Sequence, residues 1–416
     1  MAAIPVTCIF DIGKTNKKVL LFDQQYKVVH EYSEQLPETT DEDGFPGEDI
    51  HVLTQWLRDA YARLRSNHRF DIRGMNFSGY GASFVLLDAK GRVIAPLYNY
   101  LKPYPQDLQD QFYARYGGQR QLCRETASPA LGSLNSGLQL YRLKHHLPDS
   151  FSRVKVALHL PNYLAYVFSG NCVSEITSVG CHTHLWNFET NAYHQWVTQE
   201  GIAEKLAPLQ SCGSLAGVTA DGKLIGVGLH DSSAALIPYI NSIPAPFALI
   251  STGTWSISMN PFNDLPLTDT ELEADCLCYL THEGRQVKSS RFHIGPLHEA
   301  LCRKLSVRFS ISPDQLTQLR FDAGLLHAEA PVITDDASDY AAAYHKGMST
   351  LVDMQIRQLQ RVIEHTSVTR IYVDGGFARN EVFMGMLSAR LPALTVQAAE
   401  MPKASALGAA IGLFMR

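Results

Sequence analysis

Val6-Thr-Cys-Ile-Phe10-Asp11-Ile-Gly13-Lys14-Thr15-Asn16-Lys17-Lys18-Val19-Leu-Leu-Phe22 reads as two strands joined by a polar, glycine-bearing turn. A third strand is expected over Tyr26–Tyr32, and the meander leaves one sheet face needing cover. Glu48–Leu64 supplies it: Ile50, Leu53, Leu57, Ala60, Tyr61 and Leu64 recur at spacings of three and four, the signature of an apolar helical stripe. Ile72–Phe77 and Phe84–Leu87, followed by a turn at Asp88-Ala-Lys-Gly91, are expected to continue the sheet, which makes this an α/β domain.

Tyr104–Leu209 is more helical, with helices predicted near 105–116, 135–147 and 161–168, and it is rich in aromatic residues. Pro238, Pro244 and Pro246 mark a rigid break, because proline opposes continuation of helix or central strand. Beyond it the opening theme returns: Phe247-Ala-Leu-Ile as strand, Ser251-Thr-Gly253-Thr254 as turn, Trp255-Ser-Ile-Ser-Met as strand. Helices near 296–305, 313–322 and 336–365, a strand at Arg370–Val373, a helix from about Arg379, a strand at Leu394–Gln397 and an Ala-rich helix after Pro402 complete the pattern. The reading is a duplication, with domains at 1–243 and 244–416, and no short period that would mark a solenoid.

Length agrees: 416 residues exceed what one hydrophobic core usually serves. The composition, 45% hydrophobic and 19% charged with a formal charge of -5, is that of a globular chain and gives no sign of a nucleic-acid partner. No apolar stretch reaches the roughly 18 residues that a membrane span needs, and the start lacks a secretory pattern, so a cytoplasmic protein without a membrane partner is expected. The eight cysteines are scattered, and Cys276-x-Cys278 has no second pair to complete a metal knuckle, so reduced thiols are expected.

Four constellations can carry chemistry. In the first turn Gly13 lets a phosphate approach the backbone, Thr15 and Asn16 can donate hydrogen bonds, Lys14 and Lys17 can oppose negative charge, and Asp11 can orient hydrated Mg2+; an ordinary hairpin with solvated lysines explains the same residues. Gly253 and Thr254 repeat these features at the start of the second half, where two facing turns would clamp a triphosphate in an interdomain cleft. Gly375, Gly376 and Asn380 form a permissive site at a strand end that suits a purine and ribose. The small-faced helix after Pro402 packs behind that base or simply in the core. Asp231, after the glycines of Gly226-Val-Gly-Leu-His230, is either a general base for phosphoryl transfer or the N-cap of the Ala-rich helix behind it. His230 is its polar neighbour, with no triad around it.

In this order the four motifs resemble those of the FGGY carbohydrate kinases, and the resemblance covers both halves. Within that family the likeness is to rhamnulokinase-like members, through Phe84-Val-Leu-Leu-Asp88, Ser251-Thr-Gly-Thr-Trp-Ser256, His282-Glu283-Gly284, Arg291 and Gly295-Pro-Leu297. The resemblance implies two ribonuclease-H-like, actin-like ATPase domains facing each other across a cleft that holds MgATP, with a ketose or deoxyketose bound mainly by the first domain. The acceptor is then expected near Ser78, Tyr80, Ser83, Trp186 and His230, beside Asp231 as base. The sequence departs from the pattern at Ser83, where an acidic residue is usual, and at Lys14, where a small hydroxyl residue is usual; acceptor identity stays open. A sugar-binding regulatory protein that lost turnover and an actin-like filament or chaperone ATPase are the competing readings, and a homodimer is compatible with the chain.

Overall fold

The computed structural model describes residues 3–326, 340–399 and 401–415. The opening stretch forms β1 (Ile4–Ile12) and β2 (Lys17–Phe22), antiparallel, with β3 (Val28–Glu34) beyond β2. On its other side β1 pairs in parallel with β4 (Phe70–Gly79). Helix α1 (Ile50–Ser66) covers the meander as its stripe dictates, and the Asp49 carboxylate caps it by accepting from the His51 and Val52 N–H groups. Short strands β5 (Leu215–Val218) and β6 (Leu224–Gly226) extend the sheet past β4, and β7 (Leu229–His230) lies against the C-terminal end of β4. The apolar faces of these strands, α1 and α2 (Leu160–Ser169) make one continuous core.

The second sheet follows the same plan. β8 (Phe247–Thr252) and β9 (Ser256–Asn260) form the hairpin, β10 (Cys276–Leu280) and β11 (Gln286–Phe292) extend it, and β12 (Arg370–Gly375) pairs in parallel with β8, with β13 (Thr395–Ala398) outside. Helices α5 (Ile294–Phe309), α6 (Tyr340–Ile363) and α7 (Glu381–Arg390) pack on it; the predicted start of α6 at 336 lies outside the described residues. In each half the first strand is central, with a hairpin partner on one side and a parallel partner on the other.

Two expectations change, and an open alternative is decided. Phe84–Leu87 leaves the main sheet and pairs antiparallel with Val156–His159, under the separate aromatic core of the helical layer. Pro238 does not end a helix but sits inside α4 (Asp231–Ser242). A proline at this position cannot donate to the Ala234 carbonyl one turn earlier. That freed carbonyl is the atom that a Cβ on Gly408 would strike, so the missing side chain at Gly408 and the missing N–H at Pro238 together let two helices touch backbone to backbone. The second helix is α8 (Ala404–Gly412), and it lies not behind the nucleoside motif but against α4 and the first sheet, where the Asn76 side chain donates to the Ala409 carbonyl.

Among the described residues no helix is long and apolar enough to cross a membrane. All eight cysteines are free thiols.

Candidate active site

Asp11, next to last in β1, lies on a face it shares with its register partners, Lys18 on β2 and Ser78 on β4. Ser405, from the first turn of α8, donates to its carboxylate at 3.1 Å. Burial pushes the Asp11 carboxyl above the ordinary carboxylate range; the Lys18 ammonium works against the shift and the Asp231 carboxylate adds to it. The Asp231 carboxylate, which follows a neighbouring strand end, is therefore close enough to act on Asp11.

Asp231 follows β7 directly. The N-cap position of α4 belongs to His230, whose side chain makes no capping bond, while Asp231 occupies the first turn and accepts from the Ser232 N–H at 2.7 Å. Its side chain keeps 35% of its surface open. Burial raises its pKa from the ordinary value, and the bonds from Ser232 offset part of that rise. An open carboxylate of raised basicity at a helix N-terminus is a competent proton acceptor.

His230 is buried, 3.3 Å from the Asp231 carboxylate, and desolvation lowers its pKa to about 3, so it is a neutral neighbour. Its backbone N–H donates to the Thr177 hydroxyl, which in turn bonds Glu175, the cap of the short helix α3 (Ile176–Val179). Burial raises Glu175 from 4.5 to about 7. The stability this group contributes is thus intact below its unfolded pKa and lost as pH rises through the folded one. Glu175→Gln keeps an acceptor for the Thr177 and Ser178 N–H groups, and its stability relative to the parent is expected to rise from about pH 5 to pH 8; chemical denaturation across that range checks it, and a pH-independent difference contradicts it.

The two lysines of the first turn have their charges matched within the protein. Lys17 alternates with Lys18 and faces the opposite side of β2, where its ammonium meets Glu48 at 2.6 Å and donates to the Gly13 and Lys14 carbonyls. Lys14 pairs with Glu38 at the surface. The cation beside Asp11 is Lys18, which the strand alternation opposite Asp11 marks. Gly13 closes the turn by donating to the Asn16 carbonyl, leaving Thr15 and Asn16 exposed.

The second turn is held from behind: the Gly253 N–H donates to the Trp255 carbonyl, and the Gly295 N–H donates to the Thr254 carbonyl. Thr252 bridges the Asp374 carbonyl and the Phe377 N–H, tying this turn to Gly375 and Gly376. Gly375 has φ +87, and a Cβ there would strike the Thr252 carbonyl, so only glycine suits the junction. Asn380 caps α7 through the Phe383 N–H, and its amide donates to the Tyr344 hydroxyl. A cavity of about 340 Å³ joins the two motifs; Gly253, Gly376 and Asn380 line it together with His298, Thr317, Phe377 and Arg379. The last four carried no sequence signal beyond their place in ordinary helices and turns.

The residues expected around an acceptor are placed differently from one another. Ser78 is fully buried beside Asp11, and Tyr80 donates to Glu48 at 2.6 Å. Ser83 donates to the Tyr98 carbonyl at 2.7 Å, while Trp186 packs edge-on to Tyr193 in the core of the helical layer. Of this group His230 alone adjoins Asp231.

Residues 6–234 match the N-terminal domain of the FGGY family of carbohydrate kinases, and residues 244–334 match the C-terminal domain of FGGY carbohydrate kinases. The chain belongs to this family. It is 25% identical over 248 residues to a rhamnulokinase from Bacteroides thetaiotaomicron, covering 57% of this chain and 49% of the relative. It is 22% identical over 270 residues to an L-fuculokinase from Escherichia coli, covering 61% of this chain and 56% of the relative. The matches thus span about half the length of these curated relatives. The crystal structure of a carbohydrate kinase from Novosphingobium aromaticivorans superposes with a TM-score of 0.79 at 26% identity, covering 98% of this chain and 94% of that one. In this FGGY chain the two glycine turns and the Asp11–Asp231 pair thus sit within the matched architecture of two actin-like domains.

Proposed function

We propose that this protein is an ATP-dependent kinase that phosphorylates a hydroxyl of a small ketose or deoxyketose, such as L-rhamnulose or a related pentulose or hexulose. The first domain, residues 1–243, carries the acceptor and the base; the second, residues 244–416, carries the nucleotide. The observation behind the reading is the meeting of Asp11, Lys18 and Asp231 at one end of the first sheet, with glycine turns bordering an open cavity on the second.

The Asp231 carboxylate accepts the proton of the acceptor hydroxyl as that oxygen forms a bond to the terminal phosphorus and the bond to ADP breaks. Lys18 and the backbone N–H groups of Thr15 and Thr254, in the turns that Gly13 and Gly253 close, offset charge on the phosphoryl oxygens. Gly375, Gly376 and Asn380 border the nucleoside. Asp11 would hold hydrated Mg2+, whose charge would relieve the Asp231 repulsion that adds to the burial-driven rise of the Asp11 carboxyl; when bound, the ion would neutralise phosphate charge.

A coupled ADP-release assay over ketopentoses, ketohexoses and their deoxy forms, with the phosphosugar identified, tests the reading; a panel without any phosphosugar product refutes it. Gly253→Val tests the nucleotide site separately. Nothing lies within 4 Å of a Cβ at Gly253, so the variant is expected to melt with the parent. The added methyl groups occupy the space over the turn, and ATP affinity is expected to fall by about tenfold or more, corresponding to at least about 1.4 kcal/mol. Unchanged affinity by calorimetry would place the phosphates elsewhere.

A further inference from the structure

The segment between α3 and Trp186 carries two histidines, one residue apart, with left-handed backbones, His182 at φ 34 and His184 at φ 60. Such conformations persist in non-glycine residues only where the surroundings enforce them, and they cluster at ligand sites. The two rings differ in their satisfaction. His184 has both nitrogens engaged, by the Tyr113 hydroxyl and the Thr126 hydroxyl. His182 has one: Nδ1 lies 3.2 Å from the Leu134 carbonyl. A carbonyl can only accept, so Nδ1 carries the proton and Nε2 presents a lone pair. The backbone is fixed as well, since the Asn135 amide donates to the His182 carbonyl at 2.8 Å.

The surroundings place this ring beside the base. The His182 and His230 rings are 6.1 Å apart, and Tyr279 of the second sheet closes on both, at 6.2 and 5.5 Å. Donor atoms of Cys181, His182 and His230 all lie within 4.8 Å of one another. The loop that would otherwise face the acceptor offers little: Tyr80 and Ser83 are bonded inward, and a Cβ on Gly81 would meet Cys181 Sγ at 2.9 Å and His230 Cδ2 at 3.0 Å. With that loop pressed flat against the histidine wall, His182 supplies a polar atom able to read a substrate.

We infer that His182 is a specificity-determining residue, its Nε2 accepting a hydrogen bond from a hydroxyl of an uncharged polyol acceptor whose reacting hydroxyl is aimed at Asp231. The inference rests on the kinase reading above. Burial supports it by holding the ring neutral, with a pKa lowered to about 3, so the lone pair is available throughout the neutral range. A neutral acceptor atom pairs with an O–H, and an analogue deoxygenated at that carbon leaves Nε2 unpaired, which is the arrangement that discriminates most strongly between substrates.

The experiment compares the parent with His182→Phe, which keeps a ring without the lone pair, and His182→Gln, which restores an acceptor atom near the position of Nε2. Each is assayed on the panel of ketopentoses, ketohexoses and deoxy forms. For the preferred acceptor, His182→Phe is expected to raise KM by about 10- to 100-fold and to narrow the spread of kcat/KM across the panel, while ATP affinity stays at the parental value. His182→Gln is expected to recover most of the loss. If His182→Phe folds, by circular dichroism and melting, and keeps the parental KM and panel ranking, His182 is not a recognition residue. If ATP affinity and acceptor KM worsen together and His182→Gln recovers neither, the role is structural and the inference is overturned. A parent that phosphorylates no acceptor overturns the kinase reading and this inference with it, an outcome distinct from a parent that works beside an unaffected His182→Phe.

Discussion

Asp231→Asn is expected to lower turnover by about 100- to 10,000-fold, the usual contribution of a positioned general base. The substitution is nearly isosteric, and the amide oxygen can still accept from the Ser232 N–H that the carboxylate now holds at 2.7 Å. The cap position of α4 belongs to His230, so little capping energy is at stake. Melting temperature and ATP affinity should therefore stay near the parent. The pH profile gives a second readout. Burial raises the Asp231 pKa, so the parent is expected to lose activity as pH falls through that raised value and the base becomes protonated. The residual activity of Asp231→Asn should lack the inflection that belongs to this group. Near-parental turnover in the variant would remove Asp231 from the mechanism.

Lys17→Met is expected to cost about 3 to 5 kcal/mol of stability, because it strands a buried carboxylate. The side chains of Lys17 and Glu48 are each only 4% exposed, and the same ammonium holds the carbonyls of Gly13 and Lys14. Tyr80, which donates to Glu48 at 2.6 Å, cannot replace the missing cation. Lys17→Met with Glu48→Gln should recover much of the loss, since neutralising both partners leaves no uncompensated charge. Denaturant unfolding of the parent, both single variants and the double variant measures the coupling. A loss below about 1 kcal/mol for Lys17→Met would mean that water reaches Glu48 and that the pair is not a staple of the turn.

Much of the fold is legible locally. The apolar runs around Gly13 and Gly253 fix two hairpins, the stripe from Ile50 to Leu64 fixes α1, and Asp231 stands out as a carboxylate behind glycines. The strands Cys276–Leu280 and Gln286–Phe292 are not legible in the sequence, since both are buried along nearly their whole length and carry no clear alternation. In the candidate site the motif residues are legible, but His298, Thr317, Phe377 and Arg379 are not, because they come together only when helices from separate stretches line one cavity.

By itself, then, the sequence determined the elements whose signals are periodic or turn-specific: two strand–turn–strand repeats, their covering helices and the order of four motifs. Tertiary structure alone decided the direction of each polar side chain. Alternation tells that Lys17 and Lys18 face opposite sides of β2, but which lysine meets Asp11 and which meets Glu48 depends on the strands and loops brought against those faces. The same holds for Tyr80 and Ser83, drawn inward by Glu48 and the Tyr98 carbonyl, and for the last helix, drawn against α4 where Gly408 can reach the Ala234 carbonyl. A buried polar group must find a partner, and that partner is most often remote in sequence and adjacent only in the folded chain.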